Sequence, residues 1–181
     1  MTFSPGRGPG VINFQRAMVF IDGTNTFHRL EGAKRRLKKD GLYSLCEHYA
    51  KGRQIVRAYL YTTVPHFEKA QAVHGMDFAD RVRVVYGHPV PDGKGNVKEK
   101  GVDALLVADM VYHAAVKNYD YALLISVDTD FAHPLRRVED FGCRTGVVGI
   151  CCEVPDRLGQ AADDTYLAHK DENFNKWTEP A

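Results

Sequence analysis

Two runs in this chain are apolar at every position. Ala17-Met18-Val19-Phe20-Ile21 and Tyr121-Ala122-Leu123-Leu124-Ile125 lack the alternation of a half-exposed strand. Such runs read as strands buried on both faces, which belong in the middle of a parallel sheet. The first predicts a strand over about Ala17 to Asp22, the second a strand from Tyr121 to Val127. Around them, stretches with helical spacing alternate with further strands. A helix is expected from Asn25 into a basic stretch, with Thr24 as its N-cap, and a second helical piece over Leu42 to Ala50. A strand follows from Gln54 to Thr62, where Tyr59, Leu60 and Tyr61 give β character. Pro65 opens a helix to about Ala79, since proline suits a first turn, and Arg81 to Gly87 is the next strand.

Pro89, Pro91, Gly93 and Gly95 then mark a loop, with turn chemistry at Asp92–Asn96. A helix is expected from Val102 to about Val116, built on Leu105, Leu106, Met110 and Val111. After the Tyr121 strand, Phe131 to Phe141 reads as a helix ended by Gly142. Arg144 to Ile150 is a fifth strand, and Leu158 to Ala168 a last helix. The polar segment from Asn173 to Ala181 reads as a frayed end. This alternation predicts an α/β three-layer sandwich around a mainly parallel five-stranded sheet. The expected organisation is a flexible tail over 1–16, one domain over 17–170 and a C-terminal tail over 171–181.

The 181 residues are 44% hydrophobic and 26% charged, as in an ordinary globular domain with a sizeable core. No apolar run approaches the length of a membrane span. Met1 to Gly10 is rich in Gly and Pro and has no apolar signal core, so a cytoplasmic location is expected. Cys46, Cys143, Cys151 and Cys152 form no C-x-x-C pair and read as thiols in a reducing compartment. The eight histidines have no zinc-site spacing, and His133, three residues after Asp130, is the one to watch. Net charge is only +1, but between His28 and Arg57 nine cationic side chains stand against Glu31, Asp40 and Glu47. A basic patch containing Arg35, Arg36 and Lys38 suits a polyanionic substrate. A solvated helix face is the plainer reading of the same run.

Carboxylates sit where the strands end. Asp128 and Asp130 follow the Tyr121 strand, and Asp22 ends the first. Open α/β sheets bind their ligands at the carboxyl ends of the strands. Clustered carboxylates repel unless a cation or shared proton lies between them, so the set points to a divalent-metal site. Asp22 has a plainer reading as a cap or turn residue. For Asp22 and Asp128 to meet, their strands must be neighbours, as in a 3-2-1-4-5 order. Asp103, in the first turn of its helix, joins the set. Asp109 points roughly 120° away from it around the helix and reads as supporting or surface. Hard oxygen ligands select Mg²⁺ or Mn²⁺.

Val19 through Asn25, Lys100-Gly101-Val102-Asp103 and Ser126 through Phe131 resemble the three signature blocks of NYN domains. These belong to the PIN-like nuclease superfamily, and the likeness is to the LabA-like branch. It spans about residues 17 to 168. Pro134, Gly142 and Ala162-Asp163 also fit it, although Pro134 is displaced by one position. The resemblance implies a PIN-like sheet and metal-dependent ribonuclease chemistry, with the ion held by Asp22, Asp103, Asp128 and Asp130. Asn25, Ser126 and Thr129 would position carboxylates or phosphate oxygens, and Lys100 would neutralise the scissile phosphate. The family carries glycine where Val127 stands. A β-branched residue disfavours positive φ, so the turn before Asp128 is expected to differ.

The partner implied is RNA, single-stranded or structured, with DNA a lesser expectation. A homodimer fits the pattern, though no apolar stripe demonstrates one. Two other readings stand beside the nuclease. One is a regulatory module that binds RNA without turnover. The other is a haloacid-type phosphatase, which needs an aspartate two residues after the first-strand nucleophile, where this chain has Thr24.

Overall fold

A computed structural model describes residues 15–91 and 97–181, with side chains described for 15–88 and 101–181. The expectations for the first fourteen residues, the turn at 92–96 and the Lys100 side chain lie outside these. In chain order the elements are β1 (Arg16–Asp22), α1 (Gly23–Gly32), β2 (Arg35–Leu37), α2 (Gly41–Tyr49), β3 (Gln54–Thr62) and α3 (Val64–His74). Then come β4 (Arg83–Tyr86), β5 (His88–Pro91), β6 (Val97–Lys100), α4 (Val102–Ala115), β7 (Tyr121–Ile125) and α5 (Ala132–Asp140). The chain continues with β8 (Arg144–Gly149), α6 (Asp156–Gly159), β9 (Asp164–Leu167), α7 (Phe174–Trp177) and β10 (Thr178–Pro180).

The main sheet has the order β4-β3-β1-β7-β8-β9, and every pairing in it is parallel. Its first five strands take the expected 3-2-1-4-5 order, and β9 adds a sixth. The two all-apolar runs, β1 and β7, lie side by side at its centre, with Ile21 opposite Ile125. Their alternate residues enter different cores. Val19 and Ile21 pack with Leu30, Leu42 and Leu45 on the α1–α2 side. Met18 and Phe20 pack with Leu106, Met110 and Leu135 on the α4–α5 side. Both faces are therefore covered, which is why neither strand alternates. Because side chains alternate at period two, Asp22 continues the set of Met18 and Phe20, toward α4.

The structure departs from the sequence expectations in five places. The basic stretch after α1 is not helical. Ala33 caps the helix, Lys34 turns with φ 53°, and β2 pairs antiparallel with β10. The C-terminal segment is correspondingly not frayed, since it contributes α7, β10 and the buried Trp177. The segment after Leu158 holds only a four-residue helix before Thr165-Tyr166-Leu167 enter the sheet in β9. The α3 helix stops at His74, where Gly75 takes φ 89°, a conformation glycine adopts freely. The proline–glycine loop is a hairpin, with β5 pairing antiparallel to β6. Among the described residues no helix is long and apolar enough to cross a membrane.

Candidate functional site

The central strands end side by side, and their first loop residues build the site. Asp22 is the last residue of β1 and 4% exposed. It caps α1, with Oδ1 accepting the Asn25 backbone N–H at 3.0 Å. The cap role expected of Thr24 thus falls to Asp22. Close packing of this turn on β3 requires Gly23, where a Cβ would stand 2.7 Å from the Tyr61 carbonyl oxygen.

Across the gap, Ser126 ties the two strand ends together. Its hydroxyl donates to Asp22 Oδ2 at 2.9 Å and accepts the Asp128 backbone N–H at 3.1 Å. Asn25 adds a second tie, with Oδ1 accepting the Val127 N–H at 3.3 Å. Asp128 Oδ1 in turn accepts the Asp130 N–H at 2.9 Å, capping the short 3₁₀ turn Thr129–Phe131. Val127 is not among the residues with positive φ. A β-branched side chain therefore stands there without backbone strain.

The third wall comes from α4. Gly101 caps it in the left-handed conformation, φ 92°, and Asp103 lies in its first turn. Asp22, Thr24, Asn25, His28, Gly101, Val102, Asp103 and Asp128 line a cleft of about 280 Å³. Burial pushes the Asp22 carboxyl up to about 6, against the pull of the Asn25 N–H and the Ser126 hydroxyl. The negative charges of Asp103 and Asp128 push it the same way as burial. Among the described residues neither Asp22 nor Asp128 has an ion-pair partner.

The cleft brings together Asp22, Asn25, Asp103 and Asp128 of the expected site residues, with Ser126 buried between two of them. Asp130 is exposed and does not line it, and Thr129 belongs to the turn beside it. His133 is exposed and away from the cleft lining. Asp109 accepts the Tyr61 hydroxyl at 2.9 Å and does not line the cleft. His28 was not expected here. The i, i+4 spacing from Thr24 carries the signal, since it puts both residues on one face of α1.

The basic residues behave differently from a free patch. Arg35 bonds Thr178 Oγ1 at 2.6 Å and Asn175 Oδ1 at 2.7 Å, and lies over the Phe174 ring. Arg36 pairs with Glu179 at 2.7 Å, and Lys38 donates to the Asn175 carbonyl at 2.7 Å. These three clamp α7 and β10 onto β2.

The acidic donors facing the cleft, Asp22, Asp103 and Asp128, offer hard carboxylate oxygens, the chemistry Mg²⁺ and Mn²⁺ prefer. Each Asp22 oxygen accepts one hydrogen bond and so keeps a lone pair for a cation. Among the described residues no group of three His, Cys, Asp or Glu is already arranged to hold an ion. The fit lies in the donor set and in the charge of the buried Asp22 and of Asp128, which have no ion-pair partner among the described residues.

The parallel six-stranded sheet flanked by helices is consistent with a PIN-like three-layer sandwich. The sequence model of the NYN domain family matches residues 16–170, and the chain belongs to that family. Members of the family are generally nucleases. No curated protein matches the chain. Among solved structures, a protein of unknown function from Vibrio parahaemolyticus is similar in fold. It aligns with a TM-score of 0.67 at 16% identity, over 89% of this chain and 96% of its own.

Proposed function

We propose that this domain is a divalent-metal-dependent endoribonuclease of the LabA-like branch, acting in the cytoplasm. The observation that carries the reading is the Ser126 hydroxyl held between the buried Asp22 and the Asp128 turn, with Asp103 facing both across one cleft. Asp22 and Asp128 would hold the ion, with Asp103 binding it directly or through water and Asp130, off the cleft lining, reaching it only through water. A bound Mg²⁺ or Mn²⁺ supplies stabilisation of phosphate charge and a lowered pKa for attacking water. The chain's own residues do the rest. Ser126 fixes the rotamer of Asp22, and Asn25 fixes the loop that carries Asp128. Asp103, exposed at the mouth of the cleft, is the carboxylate best placed to take the proton from attacking water. His28 faces the same cleft and can donate to a phosphate oxygen.

The test is cleavage of single-stranded or looped RNA by purified protein with Mn²⁺. Asp128→Asn is expected to abolish cleavage while leaving the melting temperature without metal unchanged or raised. Cleavage that continues equally in the variant removes the proposed site.

A second reading is a module that binds RNA without turnover. The outward-facing Asp130, which leaves three carboxylates on the cleft, favours it. Stabilisation by Mn²⁺ with no cleavage of any RNA would select this reading.

A further inference from the structure

Beside the carboxylate cleft lies a larger cavity of about 510 Å³, walled by α1 and α3. Thr24 and His28 line both cavities, so the two adjoin. Its size falls in the range of small-molecule sites, and Phe27, Ala70 and Val73 make its lining mainly apolar. Lys34 and Arg35 lie on its wall, and the Lys69–Glu31 pair, 3.0 Å apart, makes a local neutral rim.

One buried polar group in it lacks a partner on one of its ring nitrogens among the described residues. His74 lines the cavity and is 8% exposed. Its Nδ1 accepts the Leu37 backbone N–H at 3.1 Å, which leaves the ring proton on Nε2. Burial and the Arg36 charge hold the ring well below the usual histidine range, at about 4, so it is neutral near pH 7. Among the described residues Nε2 has no hydrogen-bond partner, and it is not shut off from solvent. The ring packs on Phe27 and Phe78, at centroid distances of 5.6 and 5.3 Å, which fixes its direction. A fixed N–H donor in a mainly apolar cavity can meet one acceptor on a ligand.

We propose that this cavity is a subsite for one unpaired nucleobase of the RNA strand, adjacent to the phosphate held at the carboxylate cleft. It rests on the ribonuclease reading for its ligand. Phe27 and Val73 give the base apolar contact, and the His74 Nε2–H donates to an acceptor on its edge. Lys34 faces the phosphate on the far side of that nucleotide. The subsite gives the nuclease a preference for strands whose bases can leave the stack, because a paired base cannot enter.

The test is binding, not cleavage. Labelled single-stranded RNA hexamers, each with one abasic position, are titrated into the full chain with the metal chelated. Stacking of one base accounts for roughly a tenfold change in affinity. One abasic position should therefore weaken binding about tenfold, and that dependence should vanish in Val73→Gln. Val73 is 41% exposed, so the variant folds with little strain. RNA should also shift the His74 Nε2 resonance in an ¹⁵N-histidine spectrum. A flat abasic series, a Val73→Gln protein that binds every RNA like the parent, or an unmoved His74 resonance overturns the subsite. So does failure to bind any RNA. Position-dependent binding with no cleavage under Mn²⁺ keeps the subsite and removes the nuclease reading. Cleavage lost in Asp128→Asn beside a flat abasic series does the reverse.

Discussion

The Ser126 hydroxyl serves Asp22 and Asp128 at once, giving its proton to one side chain and accepting the backbone N–H of the other. Ser126→Ala removes both bonds and leaves the carboxylates in place. Partners that orient metal-binding groups are worth about 10–100-fold in metal affinity or activity. A loss of that order is expected in Mn²⁺-dependent cleavage, with the domain still folded by circular dichroism. Asp22 makes a second prediction. Its folded pKa of about 6 stands above its ordinary 3.8, because burial opposes its charge. The metal-free fold therefore holds this proton more tightly than the unfolded chain does. The resulting stability is complete below about pH 4 and is lost as pH rises through about 6. Asp22→Asn should raise metal-free stability at pH 7 by about 1–3 kcal/mol and flatten its pH dependence between those limits. Thermal melts over that range check this, and an unchanged profile would mean that Asp22 is not the charge at issue.

The elements that carry the site were legible because their signal is local. An unbroken apolar run can be read within five residues, so β1 and β7 stand where expected, and the carboxylates at their ends follow. The elements that were missed depend on distant partners. Nothing in Arg35-Arg36-Leu37 announces a strand, because its ladder partner, β10, lies some 140 residues away in sequence. Arg35, Arg36 and Lys38, read as part of a substrate patch, also bond into that junction. In the same way, Ala161 and Ala162 suggest a continuing helix, while pairing with β8 draws Asp164 to Leu167 into the sheet. His28 and His74 were passed over because a lone histidine carries no pattern until its neighbours are known. Two outcomes test the junction. Trp177→Ala, at a site 4% exposed in the α1–α2 core, should cost about 3–5 kcal/mol in denaturant unfolding. Arg36→Ala breaks only a half-exposed pair with Glu179 and should cost about 1 kcal/mol or less. It should also leave the salt dependence of RNA binding unchanged, and a reduced slope would return Arg36 to the substrate groove.

Taken whole, the molecule is a six-stranded parallel sheet that spends its central switch point on carboxylates. Some acidic groups elsewhere find cations, as Asp120 does in Arg16 and Glu179 in Arg36. At the switch point, among the described residues, the buried Asp22 and its neighbour Asp128 have no such partner. An ion that binds the folded chain alone stabilises it by RT ln(1 + [ion]/Kd), about 2.7 kcal/mol at a hundredfold excess over Kd. Melting temperature should therefore climb with Mn²⁺ and stay flat in Asp128→Asn. Location is the most direct test of the account, and an anomalous difference map from crystals soaked in Mn²⁺ provides it. The account predicts a peak within coordination distance of both the Asp22 and Asp128 carboxylates, on the side facing Asp103. No peak there at saturating Mn²⁺, or a peak only at some other acidic surface, would contradict it.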